Sequence, residues 1–195
     1  MTLFDLIFLA IVLSSILAVA AVVVLALSGR WRQSAWLLGG YVFCLALYLG
    51  VVAAVSLASP QRVLARGEDR CYDDWCIAVI DASRVERPTG ARYVVLLRLT
   101  SRARGISQRE NGLVAYVLDE QGRRFDPTPD PAEAPFNSLL EPGRSVATTR
   151  IFEVAGAAGQ PVLVLEHEGA SRFPGVVIIG DESSLLHKPM IVRLP

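Results

Sequence analysis

The chain has 195 residues and a formal net charge of zero, with 19 basic and 19 acidic side chains. Only three of these charges, Asp5, Arg30 and Arg32, fall among the first 58 residues. The charges beyond residue 58 nearly balance, so that part has no basic excess of the kind that binds nucleic acid, and we expect no nucleic-acid partner. Its length suits one domain with its own hydrophobic core.

Two apolar segments open the chain. Residues 3–27 are interrupted only by Asp5, and residues 36–57 carry no charge. Each is longer than the roughly 20 residues that a helix needs to cross a bilayer core of about 30 Å. The polar linker between them, 28–34, is so short that the helices must run antiparallel as neighbours. The sequence therefore predicts a two-helix transmembrane anchor over residues 1–58, with the lipid bilayer as its first partner.

Small side chains recur along both predicted helices at a spacing of about one helical turn. Such stripes let helix backbones approach closely in lipid, so we expect the two stripes to pack on each other, with oligomerisation through one of them as the alternative. The oligomeric state stays open. The stripes consist of Ser14, Ala18 and Ala26 on the first helix, and of Ala46, Gly50, Ala54 and Ala58 on the second.

Positive charges indicate the orientation of the anchor. Arg30 and Arg32 lie in the linker, and cytoplasmic loops of membrane proteins are enriched in such residues, which places both ends of the helix pair outside. Three arginines that follow the second helix oppose this assignment, but the first helix usually dominates the topology. They are Arg62, Arg66 and Arg70.

Two cysteines support the same orientation. Cys71 and Cys76 flank the four-residue stretch 72–75. Cysteines on either side of a turn can bond when their α-carbons approach within about 7 Å, and disulfides persist outside the cytosol. We therefore expect a Cys71–Cys76 disulfide, and an integral protein of the inner (cytoplasmic) membrane whose C-terminal domain is periplasmic or extracellular.

Short strands replace helices in the C-terminal part. Seven or eight strands separated by frequent turns, without a long amphipathic helix, are typical of a β-sandwich. We assign residues 71–195 to this sandwich, with Trp75 in its core, and residues 59–70 to a juxtamembrane linker. The predicted strands are 75–80, 93–100, 113–118, 124–125, 146–154, 162–166, 176–179 and 190–194.

One connection is unusually long and irregular. Residues 126–143 hold nearly half of the 11 prolines of the chain, and proline cannot donate to a sheet ladder. Long loops in compact domains are often functional, so this one is a candidate contact surface that includes Phe136. The alternative is a plain crossover between two sheets, stiffened by proline, with Phe136, Leu139 and Leu140 tucked onto the core.

A basic stretch is the second candidate surface. It holds Arg98, followed by Arg102, Arg104 and Arg109. These side chains could contact a ligand or lipid headgroups. A strand edge that charge protects from pairing with another chain would show the same pattern. Together with Phe136, the last three arginines form the predicted interaction surface.

The sequence contains only weak motifs for metal binding or catalysis. The only histidines, His167 and His187, lack zinc-finger spacing relative to each other and to the cysteines. A helical hairpin before an extracytoplasmic β-domain is also the layout of cytochrome oxidase subunit II, and His187 with Met190 resembles part of its copper motif. The cysteines, however, lie far upstream. We expect no metal, cofactor or catalytic residue, and keep two alternatives, a copper electron-transfer domain and a hydrolase that uses His187 or His167.

Four segments carry a family resemblance: 71–76, 93–99, 101–110 and 180–189. They resemble bacterial membrane-anchored proteins whose extracytoplasmic immunoglobulin-like domain has no assigned function. The resemblance implies an immunoglobulin-like sandwich and a non-enzymatic role. The expected function is therefore a non-catalytic interaction or structural module of the cell envelope, with an envelope protein as partner.

Overall fold

The computed structural model describes residues 3–156, 159–168, 173–181 and 183–195. Within these described residues, two helices are followed by nine strands. Residues group into two compact units, one formed by the helices with residues 173–188 and one by residues 61–168 with 189–195. The elements are α1 (Leu3–Leu27), α2 (Trp31–Ala58), β1 (Val63–Leu64), β2 (Arg70–Tyr72), β3 (Trp75–Arg87), β4 (Gly90–Ser101), β5 (Leu113–Leu118), β6 (Arg124–Phe125), β7 (Ser145–Ala155), β8 (Val162–His167) and β9 (Met190–Arg193).

The two helices pack as an antiparallel hairpin joined by hydroxyl groups. The Ser34 hydroxyl donates to the Val22 carbonyl at 3.1 Å, and the hydroxyls of Ser15 and Tyr41 are hydrogen-bonded to each other. Both helices are long and apolar enough to cross a membrane. The predicted small-residue contact is wrong for α2, because Ser34 and Tyr41 contact α1 and the small-residue stripe is exposed. The exposed stripe consists of Ala46, Gly50, Ala54 and Ala58.

The strands form two sheets packed face to face. One has five strands in the order β1-β9-β8-β5-β6, and the other has four in the order β2-β3-β4-β7. Along β4, inward residues such as Tyr93 and Leu97 are fully buried and alternate with half-buried outward ones, as expected for a central strand with one face on a core. Trp75 is 1% exposed at the start of β3. The predicted class, a helical hairpin before an all-β immunoglobulin-like sandwich, is confirmed.

One predicted strand is wrong. Residues 176–179 lie in and after a short 3-10 turn, Gly175–Val177. The N–H groups of Val177 and Ile178 donate to the carbonyls of Pro174 and Gly175, so they are not available to a strand partner. This segment, which we expected inside the sandwich, groups with the helices.

Candidate interaction surface

A disulfide closes the hairpin between β2 and β3. Cys71 and Cys76 are register partners with α-carbons 3.9 Å apart, and their sulfurs are bonded at 2.05 Å. The predicted disulfide is confirmed. The exposed turn between them holds Asp73, in the left-handed region at φ 51°, which aspartate tolerates better than most residues, and Asp74. We call residues 70–77 the disulfide hairpin.

The loop that follows β4 lies beside this hairpin. We call residues 102–112 the arginine loop. The Arg102 N–H donates to the Asp74 carbonyl at 2.7 Å. Further along, Gln108 and Leu140 exchange two backbone hydrogen bonds of 2.8 Å, which form an isolated antiparallel bridge. The disulfide hairpin, the arginine loop and the end of the 126–143 connection are therefore held together at one end of the sandwich.

Asp69 fixes the base of the arginine loop. Its carboxylate accepts from the guanidinium groups of Arg98 at 3.0 Å and Arg102 at 2.5 Å. Partial burial by itself raises the pKa of this carboxyl, but the two hydrogen-bonded arginines outweigh that effect and hold the pKa below its usual range. Arg102 is thus committed to an ion pair. Arg104 and Arg109 are exposed, and neither has an ion pair among the described residues.

The 126–143 connection, which we call the proline loop, carries the chain from β6 in one sheet to β7 in the other. It runs along the outer edge of β7. Thr128 N–H donates to the Ile151 carbonyl at 2.7 Å, and Glu133 accepts from the N–H of Thr149 at 2.6 Å and the hydroxyl of Thr148 at 3.1 Å. The loop thereby occupies polar groups of an edge strand that could otherwise pair with another chain.

Arg150 of β7 holds the proline loop from below. Its guanidinium donates to the Ala134 carbonyl at 2.7 Å, to the Thr148 hydroxyl at 2.6 Å and to the Thr149 carbonyl at 2.8 Å. The same group lies 4.5 Å from the centre of the Phe136 ring. Burial lowers the pKa of this guanidinium. Phe136 itself is half-buried against the main core. It fastens the loop rather than forming its outer surface, so we leave it out of the surface defined next.

The outer side of the two loops exposes apolar side chains. Ile106 is 70% exposed and Leu139 58%. Leu139 adjoins the residue that bridges to the arginine loop, and Arg104 and Arg109 lie on that loop. We call these four residues the loop-end surface. The sequence predicted its two arginines but not Ile106, and only the crossover alternative considered Leu139, which it placed on the core. An irregular loop has no periodicity that tells inward from outward residues.

A groove of about 390 Å³ lies between the proline loop and β7. Its walls include four prolines together with Asp130, Glu133 and Arg150. The charged groups are already engaged: Asp130 accepts from the Ala132 N–H, and the other two make the contacts described above. The groove is therefore the space beneath a fastened loop, and we do not propose a ligand site there.

His167 contacts the arginine loop at Glu110 and not at the four residues of the loop-end surface. The Nε2 atom of His167 is 2.8 Å from a Glu110 carboxylate oxygen, and the Tyr72 ring packs edge-on against the imidazole. His187 contacts the carbonyl of Lys188 at 2.8 Å through Nδ1. Cys71 and Cys76 are bonded to each other, so the thiolates that the copper alternative would need are not free. Among the described residues, no group of three or more metal-ligating side chains comes together.

Among known proteins, only solved structures are similar to this chain. No protein-family model matches the chain, and no curated protein matches it by sequence. The secreted protein MPT63 of Mycobacterium tuberculosis is 10% identical, with a TM-score of 0.45 over 70% of this chain and 98% of its own. The yjhA protein of Bacillus subtilis is 15% identical, with a TM-score of 0.43 over 69% and 100% of the two chains. The ycdA protein of Bacillus subtilis strain 168, named as a candidate lipoprotein, is 13% identical, with a TM-score of 0.38 over 67% and 38%. No function is transferred from them.

Proposed function

We propose that this protein is a membrane-anchored, non-catalytic module that presents a β-sandwich on the extracytoplasmic side of the inner membrane and binds an envelope protein through the loop-end surface. Two features support the location. The hairpin has its positive charges, Arg30 and Arg32, in the linker, and the sandwich carries a disulfide at Cys71–Cys76.

The observation that carries the binding proposal is the pairing of exposed apolar residues with free arginines on fastened loops. Ile106 and Leu139 are exposed to solvent, and Arg104 and Arg109 have no ion pair among the described residues. Arginine is enriched in protein interfaces, and apolar side chains supply the buried centre of such contacts. The Gln108–Leu140 bridge holds the loops in place, which lowers the entropy that binding would cost.

Photo-crosslinking in native membranes tests the binding surface. A photoreactive amino acid replaces Ile106 or Leu139, and the matched control replaces Val85, an exposed β3 residue (47%) away from these loops. We expect a discrete crosslinked species from the two loop positions and none from position 85. The same products from all three positions, or products from position 85 alone, would contradict the surface.

Labelling with a membrane-impermeant thiol reagent tests the location separately, in a Cys44→Ser background so that the one free cysteine does not react. In spheroplasts, Ile106→Cys should react without permeabilisation, whereas Gln33→Cys, in the first turn of α2, should react only after it. The reverse pattern would place the sandwich in the cytoplasm and refute the proposed function.

A further inference from the structure

One connection of the sandwich groups with the helical hairpin. The hydroxyl of Tyr48 in α2 donates to the carbonyl of Val177 at 2.6 Å, across 129 residues of sequence. The residues around this carbonyl are strongly apolar: Phe173-Pro174-Gly175-Val176-Val177-Ile178-Ile179. We call residues 173–181 and 183–186 the helix-bound loop.

The depth of this contact follows from the register of the helices. The Ser34–Val22 and Tyr41–Ser15 contacts set which residues of α1 and α2 lie level with each other. Continuing that register by two turns places Tyr48 level with Phe8 of α1. The apolar span of α1 begins at Leu6, only about 3 Å away along the axis at 1.5 Å per residue. The helix-bound loop is therefore fastened level with the end of the α1 span. The α2 span continues ten residues further, to Ala58, but its 28 residues exceed the roughly 20 that a bilayer core needs.

The backbone carbonyls of the loop are hydrogen-bonded within the protein, as a position near lipid requires. Irregular backbone near hydrocarbon is tolerated only where its polar groups are satisfied by protein. Five consecutive carbonyls, from Pro174 to Ile178, each accept a hydrogen bond. Their donors are Val177 N–H, Ile178 N–H, Leu185 N–H, the Tyr48 hydroxyl, and, for Ile178, the Asp181 N–H with the buried Ser184 hydroxyl.

Glycine is required for this fold of the loop. A Cβ atom on Gly175 would lie 2.5 Å from a carboxylate oxygen of Asp181, closer than real Cβ contacts come. That carboxylate is held in place because it accepts from the Ser183 N–H at 2.7 Å. The loop thus turns its polar groups inward onto itself.

Three large apolar side chains of the loop are exposed. Phe173 is 71% exposed, Leu185 43% and Leu186 55%. Phenylalanine and leucine are the side chains that interfacial segments bury at the boundary between headgroups and acyl chains. Lys188, exposed just after the loop, can extend its ammonium group toward lipid phosphates.

We infer that the helix-bound loop is a lipid-contacting surface, which inserts Phe173, Leu185 and Leu186 into the extracytoplasmic boundary of the bilayer that α1 and α2 span. The inference rests on the proposed membrane anchor. It adds a contact between the C-terminal part of the chain and lipid that the two helices alone would not provide.

Fluorescence quenching in lipid nanodiscs tests the inference on the full chain. In a Cys44→Ser background with the disulfide intact, single cysteines at three exposed positions carry an environment-sensitive dye. Leu186→Cys reports the helix-bound loop, Leu139→Cys is a matched leucine of similar exposure on the proline loop, and Val42→Cys reports α2. Quenchers are a phosphatidylcholine with a spin label near its headgroup, and aqueous iodide.

We expect lipid-borne quenching of the Leu186→Cys dye to be at least threefold stronger than that of the Leu139→Cys dye, with iodide quenching in the reverse order. Phe173→Cys provides a second position in case the first variant folds poorly. Lipid quenching at position 42 together with iodide quenching at positions 186 and 173 would overturn the inference and leave the anchor standing. Iodide quenching at position 42 would refute the membrane span, and the inference with it.

Discussion

The two longest connections between strands of the sandwich are held in different ways. The proline loop is fastened by side chains, with Arg150 and Glu133 reaching to its backbone and to β7. The helix-bound loop satisfies its carbonyls largely with its own N–H groups and leaves Leu185 and Leu186 outside. A loop in water can rely on charged side chains for its position, whereas a loop beside lipid must close its own hydrogen bonds.

The largest expected effect is on the proline loop. Arg150→Ala removes three hydrogen bonds and the contact with the Phe136 ring. Because hydrogen bonds to charged groups contribute more than neutral ones, we expect a loss of about 3 kcal/mol in the free energy of unfolding. Guanidinium unfolding in detergent, followed by near-ultraviolet circular dichroism, measures it.

Arg92→Ala is the matched control. Arg92 of β4 forms an exposed ion pair with Glu153 of β7 at 2.6 Å, and such pairs contribute about 1 kcal/mol or less. If both alanine variants lose the same stability, Arg150 does not hold the loop in the way described.

Removing the disulfide should affect the arginine loop and leave the helix-bound loop unchanged. Replacing Cys71 and Cys76 by serine should cost about 2 kcal/mol, as expected when a short closed loop is opened in the unfolded chain. Hydrogen exchange should speed up in the arginine loop, whose Arg102 N–H is bonded to the Asp74 carbonyl, and stay unchanged in the helix-bound loop. Cys44→Ser, which removes an exposed thiol, serves as the control. Faster exchange in both loops would show that they are not independent.

Acid should weaken the side-chain contacts at the loop end. The pKa of Asp69 is low because its two arginine partners outweigh the effect of burial. Its contribution to stability is therefore complete above the unfolded value of about 3.9 and is lost as pH falls through the folded pKa. We expect wild type to exceed Asp69→Asn by about 1 kcal/mol at pH 7 and by less at a pH below the folded pKa. An equal difference at both pH values would exclude this role.

Sequence patterns predicted the regular part of the fold better than its loops. β4 and β5 were recognisable because apolar residues filled strand-length segments between turns, and the cysteine spacing indicated the disulfide hairpin. The two-residue β1, which pairs in parallel with β9, is too short to show a pattern.

The failures have a common physical cause. The apolar residues 176–179 have the composition of a buried strand, but their N–H groups are used in local bonds. Phe136 and Leu139, three residues apart in one loop, lie respectively against the core and in solvent. Composition indicates that a side chain is apolar, but not whether protein, lipid or a partner covers it.

The last expected effect, no larger than that of Asp69→Asn, tests the helix-bound loop itself. Tyr48→Phe removes only the hydroxyl that donates to the Val177 carbonyl, a loss of about 1 kcal/mol. Because this bond fastens the loop to α2, the amide groups of Val177, Ile178 and Leu185 should exchange hydrogen several-fold faster, which mass spectrometry of loop peptides in nanodiscs can measure. Tyr41→Phe is the matched control, since it loses a hydroxyl contact to Ser15 on the same helix. If both variants accelerate exchange in the loop equally, the effect comes from a loosened helix pair and not from the Tyr48 contact.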